Sequence, residues 1–191
     1  MQALANKTIV SLHKRPSAIS GLEDEVLYGM KVKILSTCPS EEEGNHAQWC
    51  NVRTHYRYEG YCRMEELVTE NCTGCPCSAV DPVTAFESGD LKIIMQPYAD
   101  ILSEPRVQSI CLQSIPRGGR IRVIGPVPER EDWMEVALVD GRIVMYMGAN
   151  LFIHSTGKNR SDGVVINSLD PAHELYREDL AKSIKAVGSI F

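Results

Sequence analysis

Trp49-Cys50-Asn51-Val52-Arg53-Thr54-His55-Tyr56-Arg57-Tyr58-Glu59-Gly60-Tyr61-Cys62-Arg63-Met64-Glu65-Glu66-Leu67 is the stretch that decides the fold. Trp49, Cys50 and Val52 begin a strand, residues 56–59 make a turn, and Gly60-Tyr61-Cys62 starts the strand after it. Short strands bounded by turns, with no long helical period, predict a small β-barrel. The stretch recurs in weaker form 84 residues later, from Trp133 to Leu151. Val52 to Leu67 and Val136 to Leu151 are both 15 residues, and Pro16 to Gly29 and Pro105 to Gly118 are both 13. Landmarks at a nearly constant offset read as an internal repeat. A single larger β-sandwich is the alternative. The Gly, Pro and Cys content of residues 71–82 (NCTGCPCSAVDP) places a linker where a boundary between two units should be.

The rest of each unit follows from local pattern. Leu4 to Leu12 carries a β-branched apolar run and reads as one first strand. Residues 13–22 read as an excursion loop with the acidic Glu23-Asp24-Glu25 at its far end. From Met30 to Leu35 apolar and basic residues alternate, the mark of a strand with one buried face, and Gly29 supplies a turn or bulge ahead of it. Residues 39–46 make a polar tip. In the second unit, residues 91–95 and 120–124 read as strands, 97–108 as an excursion, 115–119 as a turn and 126–132 as a second tip. Asp140-Gly141 is the strongest hairpin signal in the chain. Beyond Phe152, residues 154–162 read as a polar linker. Asp170-Pro171 then offers an N-cap and a first-turn proline. Tyr176, Leu180, Ile184, Val187 and Phe191 recur at helical spacing and predict an amphipathic terminal helix.

Composition narrows the function. The chain has 191 residues, 43% of them apolar, with a formal net charge of −5. The mild, dispersed negative charge argues against nucleic acid as a main partner, which would favour a basic stripe. No run of 18 apolar residues offers a membrane span. The N-terminus lacks the order of a signal peptide, because Lys7, Lys14 and Arg15 interrupt or follow its short apolar run. As written the protein is expected in the cytoplasm; a start further upstream would allow the cell envelope. Seven cysteines without an export signal fit reduced thiols better than a disulfide framework.

Three constellations invite chemistry. Cys72, Cys75 and Cys77 have a spacing that thiolates can use for zinc or an iron–sulfur cluster. No second pair of Cys or His lies near in sequence, so a plain linker is the stronger reading, with no metal and no cofactor expected. The histidines at 13, 46, 55, 154 and 173 form no local signature with a cysteine nucleophile, so no catalytic residue is assigned. The hairpin from His55 to Tyr61 is the best binding candidate. Its tyrosines offer flat contact surface at low entropic cost. With the acidic Glu23 to Glu25 nearby it can hold a peptide's free amine. Equally, Tyr58 and Tyr61 can simply cover the barrel.

Val26-Leu27-Tyr28-Gly29, Trp49-x-x-Val52, Gly60-Tyr61 and Leu67 resemble the bacterial SH3-like domain. The second copy is less regular, with Val144-Met145-Tyr146 where a glycine–aromatic pair is usual. Two such domains followed by Tyr176-Arg177-Glu178-Asp179-Leu180 resemble the N-terminal part of NlpC-type cysteine peptidases, γ-D-glutamyl-diamino acid endopeptidases of cell-wall peptides. The family's Asp-Cys-Ser-Gly nucleophile motif does not occur in this sequence. The resemblance therefore implies a recognition module whose catalytic domain is missing or separate. Its expected partners are cell-wall peptides and that catalytic domain, and its substrate-binding residues are Tyr61, Tyr58, Glu23 and Glu25. The implied fold is mainly β. A first SH3-like barrel covers residues 1–70, a linker 71–84, a second barrel 85–153, and a linker with the first helix of a catalytic domain 154–191. A non-enzymatic scaffold that uses the apolar terminal helix is the competing expectation.

Overall fold

The structure, a computed structural model, describes residues 1–42, 46–70, 81–106, 108–128, 130–147, 151–156, 163–168, 171 and 176–183. Strands β1 (Gln2–Ala5), β2 (Ile9–His13), β3 (Leu22–Leu27), β4 (Lys31–Pro39), β5 (Gln48–Thr54), β6 (Glu59–Arg63) and β7 (Leu67–Thr69) form one antiparallel sheet. Their order is β3-β2-β6-β5-β4-β1-β7. A short helix α1 (Pro82–Glu87) leads into a second antiparallel sheet of β8 (Asp90–Ile93), β9 (Tyr98–Leu102), β10 (Cys111–Pro116), β11 (Arg120–Val127), β12 (Arg130–Ala137) and β13 (Ile143–Met147). Its order is β10-β9-β13-β12-β11-β8. A separate hairpin, β14 (Leu151–Thr156) with β15 (Gly163–Ser168), and a helix α2 (Glu178–Ser183) follow.

The two large sheets have the same strand order, and among the described residues the second lacks only the counterpart of β7. The repeat extends to single hydrogen bonds. Gly29 N–H donates to Ala5 O at 2.9 Å, and Gly118 N–H to Ile94 O at 2.8 Å. Arg15 N–H donates to Ser20 Oγ at 3.0 Å, and Glu104 N–H to Ser109 Oγ at 3.2 Å. Both sheets shift register after Ile34 and after Val123, so Leu35 and Ile124 occupy equivalent bulges. Gly29 and Gly118, with φ of 72° and 89°, make the same left-handed turn. A Cβ on Gly29 would lie 2.6 Å from the Arg120 carbonyl oxygen, so glycine here also lets the two sheets meet.

Alternation explains the packing. In β4, Val32 and Ile34 point inward while Lys33 and Leu35 face solvent. One core gathers residues from every strand of the first sheet, among them Ala5, Val10, Val26, Ile34, Val52, Cys62 and Leu67. A sheet whose seven strands all feed one core must curl around it. β1 is buried on both faces: Ala3 and Ala5 enter that core, and Leu4 joins the second, with Tyr28, Val68, Phe86, Ile115 and Val136. Lys31 and Glu87, at 2.5 Å, add an ion pair between the units.

Several expectations are corrected. Neither sheet closes into a barrel, because the edge strands β3 and β7, and likewise β10 and β8, do not pair with each other. β7 is only three residues long and β3 is acidic and bulged, which disfavours further pairing. Leu4 to Leu12 is two strands, not one, because Asn6 and Lys7 turn the chain and Asn6 N–H bonds to Glu66 O. Glu23 to Glu25 lie within a strand rather than on a loop. The excursion at 97–108 begins with β9, and the tip at 126–132 is mostly strand. The linker's last residues fold as α1, capped by Asp81, whose carboxylate accepts from the Val83 and Thr84 N–H groups. Residues 154–156 belong to β14 rather than to a linker. Tyr176 is not helical; it bridges to Ser168, and α2 starts at Glu178. Ile184, Val187 and Phe191 of the predicted stripe lie outside the described residues, as do Cys72, Cys75 and Cys77. No helix among the described residues is long and apolar enough to cross a membrane.

Candidate functional site

The aromatic hairpin and the acidic strand meet at one end of the first sheet. β5 and β6 are paired through Arg53 opposite Glu59, whose side chains form an ion pair at 2.6 Å. Beyond it Thr54 N–H donates to Tyr58 O at 2.9 Å, and Tyr58 N–H donates to Thr54 Oγ1 at 3.0 Å. Arg57 completes the turn at φ 69°. The turn sends two tyrosines, two residues apart, across the end of β2 towards β3. Tyr56 Oη donates to Asp24 Oδ2 at 2.6 Å, and Tyr58 Oη donates to Glu23 Oε2 at 2.6 Å.

A bulge positions Glu23. Leu12 stands opposite Asp24 and His13 opposite Leu22, so Glu23 is an extra residue with no partner in the ladder. Such bulges re-aim side chains beside functional sites. Asp24 Oδ1 accepts from the Glu25 N–H at 2.8 Å, which fixes the second carboxylate. Among the described residues none of the three acids has an ion-pair partner.

The phenols stay protonated at neutral pH. Burial and the bond to Asp24 push the Tyr56 pKa up to about 12, and the bond to Glu23 raises that of Tyr58. Both hydroxyls therefore act as donors to the two carboxylates. What results is a negative, aromatic-walled end of the sheet with unused carboxylate lone pairs, suited to an ammonium group.

Of the predicted residues, Glu23 and Tyr58 are in direct contact. Tyr61 is half-buried on β6, opposite His13 in the ladder, and Glu25 is exposed on β3. Among the described residues no hydrogen bond joins either side chain to the Glu23–Tyr58 pair. Tyr56 and Asp24 fall within the hairpin and the acidic cluster that the sequence singles out, but not among the four residues named from it; His13 beside them was not anticipated. The two-residue spacing of Tyr56 and Tyr58 opposite consecutive acids was the available signal for the first two. His13 packs edge-on against the buried Trp49 at 5.6 Å, a tertiary contact with no sequence signature.

The second repeat lacks this chemistry. At the positions of Glu23, Tyr56, Tyr58 and Tyr61 it carries Leu112, Asp140, Arg142 and Met145. Asp140 and Arg142 pair with each other at 2.8 Å. Elsewhere, Thr37, Cys38, His46 and Gln48 line an open depression. Burial pushes the Cys38 thiol up, which keeps it protonated rather than nucleophilic. No cluster of His, Cys, Asp or Glu among the described residues is arranged to hold a metal ion.

Fold and site together define a mainly β protein of two like sheets, with an acid–tyrosine site on the first alone. No protein-family model matches the sequence. Dipeptidyl-peptidase 6 of Lysinibacillus sphaericus is 23% identical over an alignment of 291 residues that takes in 100% of both chains. The crystal structure of an NlpC/P60 family protein from Bacillus cereus shares the fold, with a TM-score of 0.54 at 12% identity. The match covers 88% of this chain and spans 57% of that one.

Proposed function

We propose that this chain is the peptide-reading part of a cell-wall peptide hydrolase, built from two SH3-like modules of which the first binds ligand. The observation that carries the reading is the 2.6 Å bond from Tyr58 Oη to Glu23 Oε2, which unites the aromatic hairpin and the acidic strand in one site. The ligand is a peptide with a free N-terminal amine, derived from peptidoglycan. Its ammonium group takes the unpaired carboxylate oxygens of Glu23 and Glu25, and its first side chain lies against Tyr58 and Tyr61. The second module, with Leu112 and Arg142 in the corresponding places, serves as a spacer that holds the first. The resemblance to a peptidase in sequence and the fold shared with an NlpC/P60 protein support this reading. In this reading a separate or adjoining domain supplies catalysis.

Titration with L-Ala-γ-D-Glu-diamino acid peptide, followed by NMR at Glu23, Tyr58 and Tyr61, tests it. Shifts at millimolar ligand that disappear when the peptide is N-acetylated are expected. Glu23→Gln should weaken binding roughly tenfold, the loss of one charge-assisted hydrogen bond. Absence of shifts, or equal shifts with the acetylated peptide, would refute amine recognition.

A further inference from the structure

Cys50 and Cys62 are direct partners in the β5–β6 ladder, with their sulfurs 3.7 Å apart. Both are fully buried in the core of the first sheet. We propose that this pair is a disulfide site, closed when the chain folds in an oxidising compartment, which staples the hairpin carrying Tyr56, Tyr58 and Tyr61.

Three observations carry it. Directly opposed residues of an antiparallel pair have Cα separations of about 4.5–5.5 Å, within the range a disulfide spans. A sulfur separation of 3.7 Å closes to a bond by side-chain rotation, with no change of ladder register. The repeat shows that the position does not demand cysteine: Met134 and Tyr146 face each other at the equivalent place in the second sheet. Cysteine occurs on both sides only in the sheet that carries the acid–tyrosine site. The loop that the bond closes, residues 51–61, contains the whole aromatic turn.

Burial determines when the bond can form. In the folded protein both thiols are closed to solvent, and the bond to Cys50 together with burial pushes the Cys62 thiol strongly up. A buried protonated thiol exchanges slowly. Oxidation therefore occurs while the hairpin is assembling. One thiolate attacks a soluble disulfide such as oxidised glutathione and releases one glutathione thiol. The second thiolate displaces the other glutathione. The two cysteines lose two protons and two electrons, and the glutathione disulfide takes up both electrons as two thiols.

The test is refolding of the full chain from denaturant with a reduced and oxidised glutathione mixture, followed by peptide mapping without reduction. A Cys50–Cys62 crosslinked peptide is expected, with an unfolding midpoint roughly 6–12 °C above that of the reduced chain, given a closed loop of about this length. Cys62→Ala should abolish that difference. Protein folded first under reducing conditions should resist the same oxidant. Finding Cys50 and Cys62 free, or joined to other cysteines, after oxidative refolding would overturn the proposal. The mapping requires neither ligand nor a variant that folds, so its failure is separate from failure of peptide binding.

Discussion

Tyr28 Oη accepts a hydrogen bond from the Val139 N–H at 3.0 Å, tying the first sheet to the second across 111 residues of sequence. The ring is fully buried, and the Tyr28 carbonyl also accepts from Arg120 N–H at 2.9 Å. Tyr28→Phe keeps the packing and orphans one buried donor, so it should cost about 1–3 kcal/mol. Chemical denaturation of both proteins measures this. A change below about 0.3 kcal/mol would mean that water replaces the hydroxyl and that the bond does not hold the units together.

Arg57 occupies a left-handed conformation at φ 69°, and the equivalent residue of the second repeat is Gly141 at φ 81°. The two turns are otherwise alike: Arg57 N–H donates to Thr54 O at 3.0 Å and Gly141 N–H to Leu138 O at 2.9 Å. A non-glycine residue pays roughly 1–2 kcal/mol for this conformation, while glycine loses about 0.5–1 kcal/mol more chain entropy on folding. Arg57→Gly should therefore stabilise the protein by about 0.5–1 kcal/mol in thermal or denaturant unfolding. Destabilisation would show that the arginine side chain does more than tolerate the turn.

The repeat and the alternation of β4 were legible because both are local patterns in sequence, and the tryptophan landmarks fell on equivalent strands, β5 and β12. The bulge at Glu23 was not legible, since register depends on β2, which lies ten residues earlier and turns out to be separate from β1. The open sheet edges were also hidden. Spacing predicts which strands exist, whereas closure depends on whether three-residue β7 finds bulged β3, a long-range pairing that no local pattern encodes. The joining of the acids to the tyrosines likewise depends on the hairpin crossing β2.

Alkaline titration reads the acid–tyrosine site directly. The Tyr56 pKa is raised from about 10 in the unfolded chain to about 12 in the fold. A raised folded pKa contributes stability that is fully present below pH 10 and is lost as pH climbs through 12. Difference absorbance of the phenolate should show Tyr56, Tyr58, the buried Tyr28 and the half-buried Tyr146 all titrating above the ordinary value. Asp24→Asn should bring Tyr56 back towards 10 by removing the carboxylate but leave part of the rise, which comes from burial. An unchanged Tyr56 titration in that variant would separate the hydroxyl from Asp24.

Leu4 and Ile93 are equivalent in the repeat yet differ completely in exposure, 0% against 57%. β1 pairs on both sides, with β4 and β7, whereas among the described residues β8 pairs with β11 alone. By spacing the counterpart of β7 is Leu151–Ile153, but that segment pairs with β15. Leu4→Ala should therefore cost about 2–5 kcal/mol, and Ile93→Ala should stay within about 0.5 kcal/mol. Hydrogen exchange should agree. Amides on the outer edge of β8 should exchange at rates near those of an open edge, while those of β1 should approach the protection of global unfolding. Equal costs and equal protection at the two sites would show that in solution a strand covers the β8 edge, with Leu151–Ile153 the segment of matching length and position.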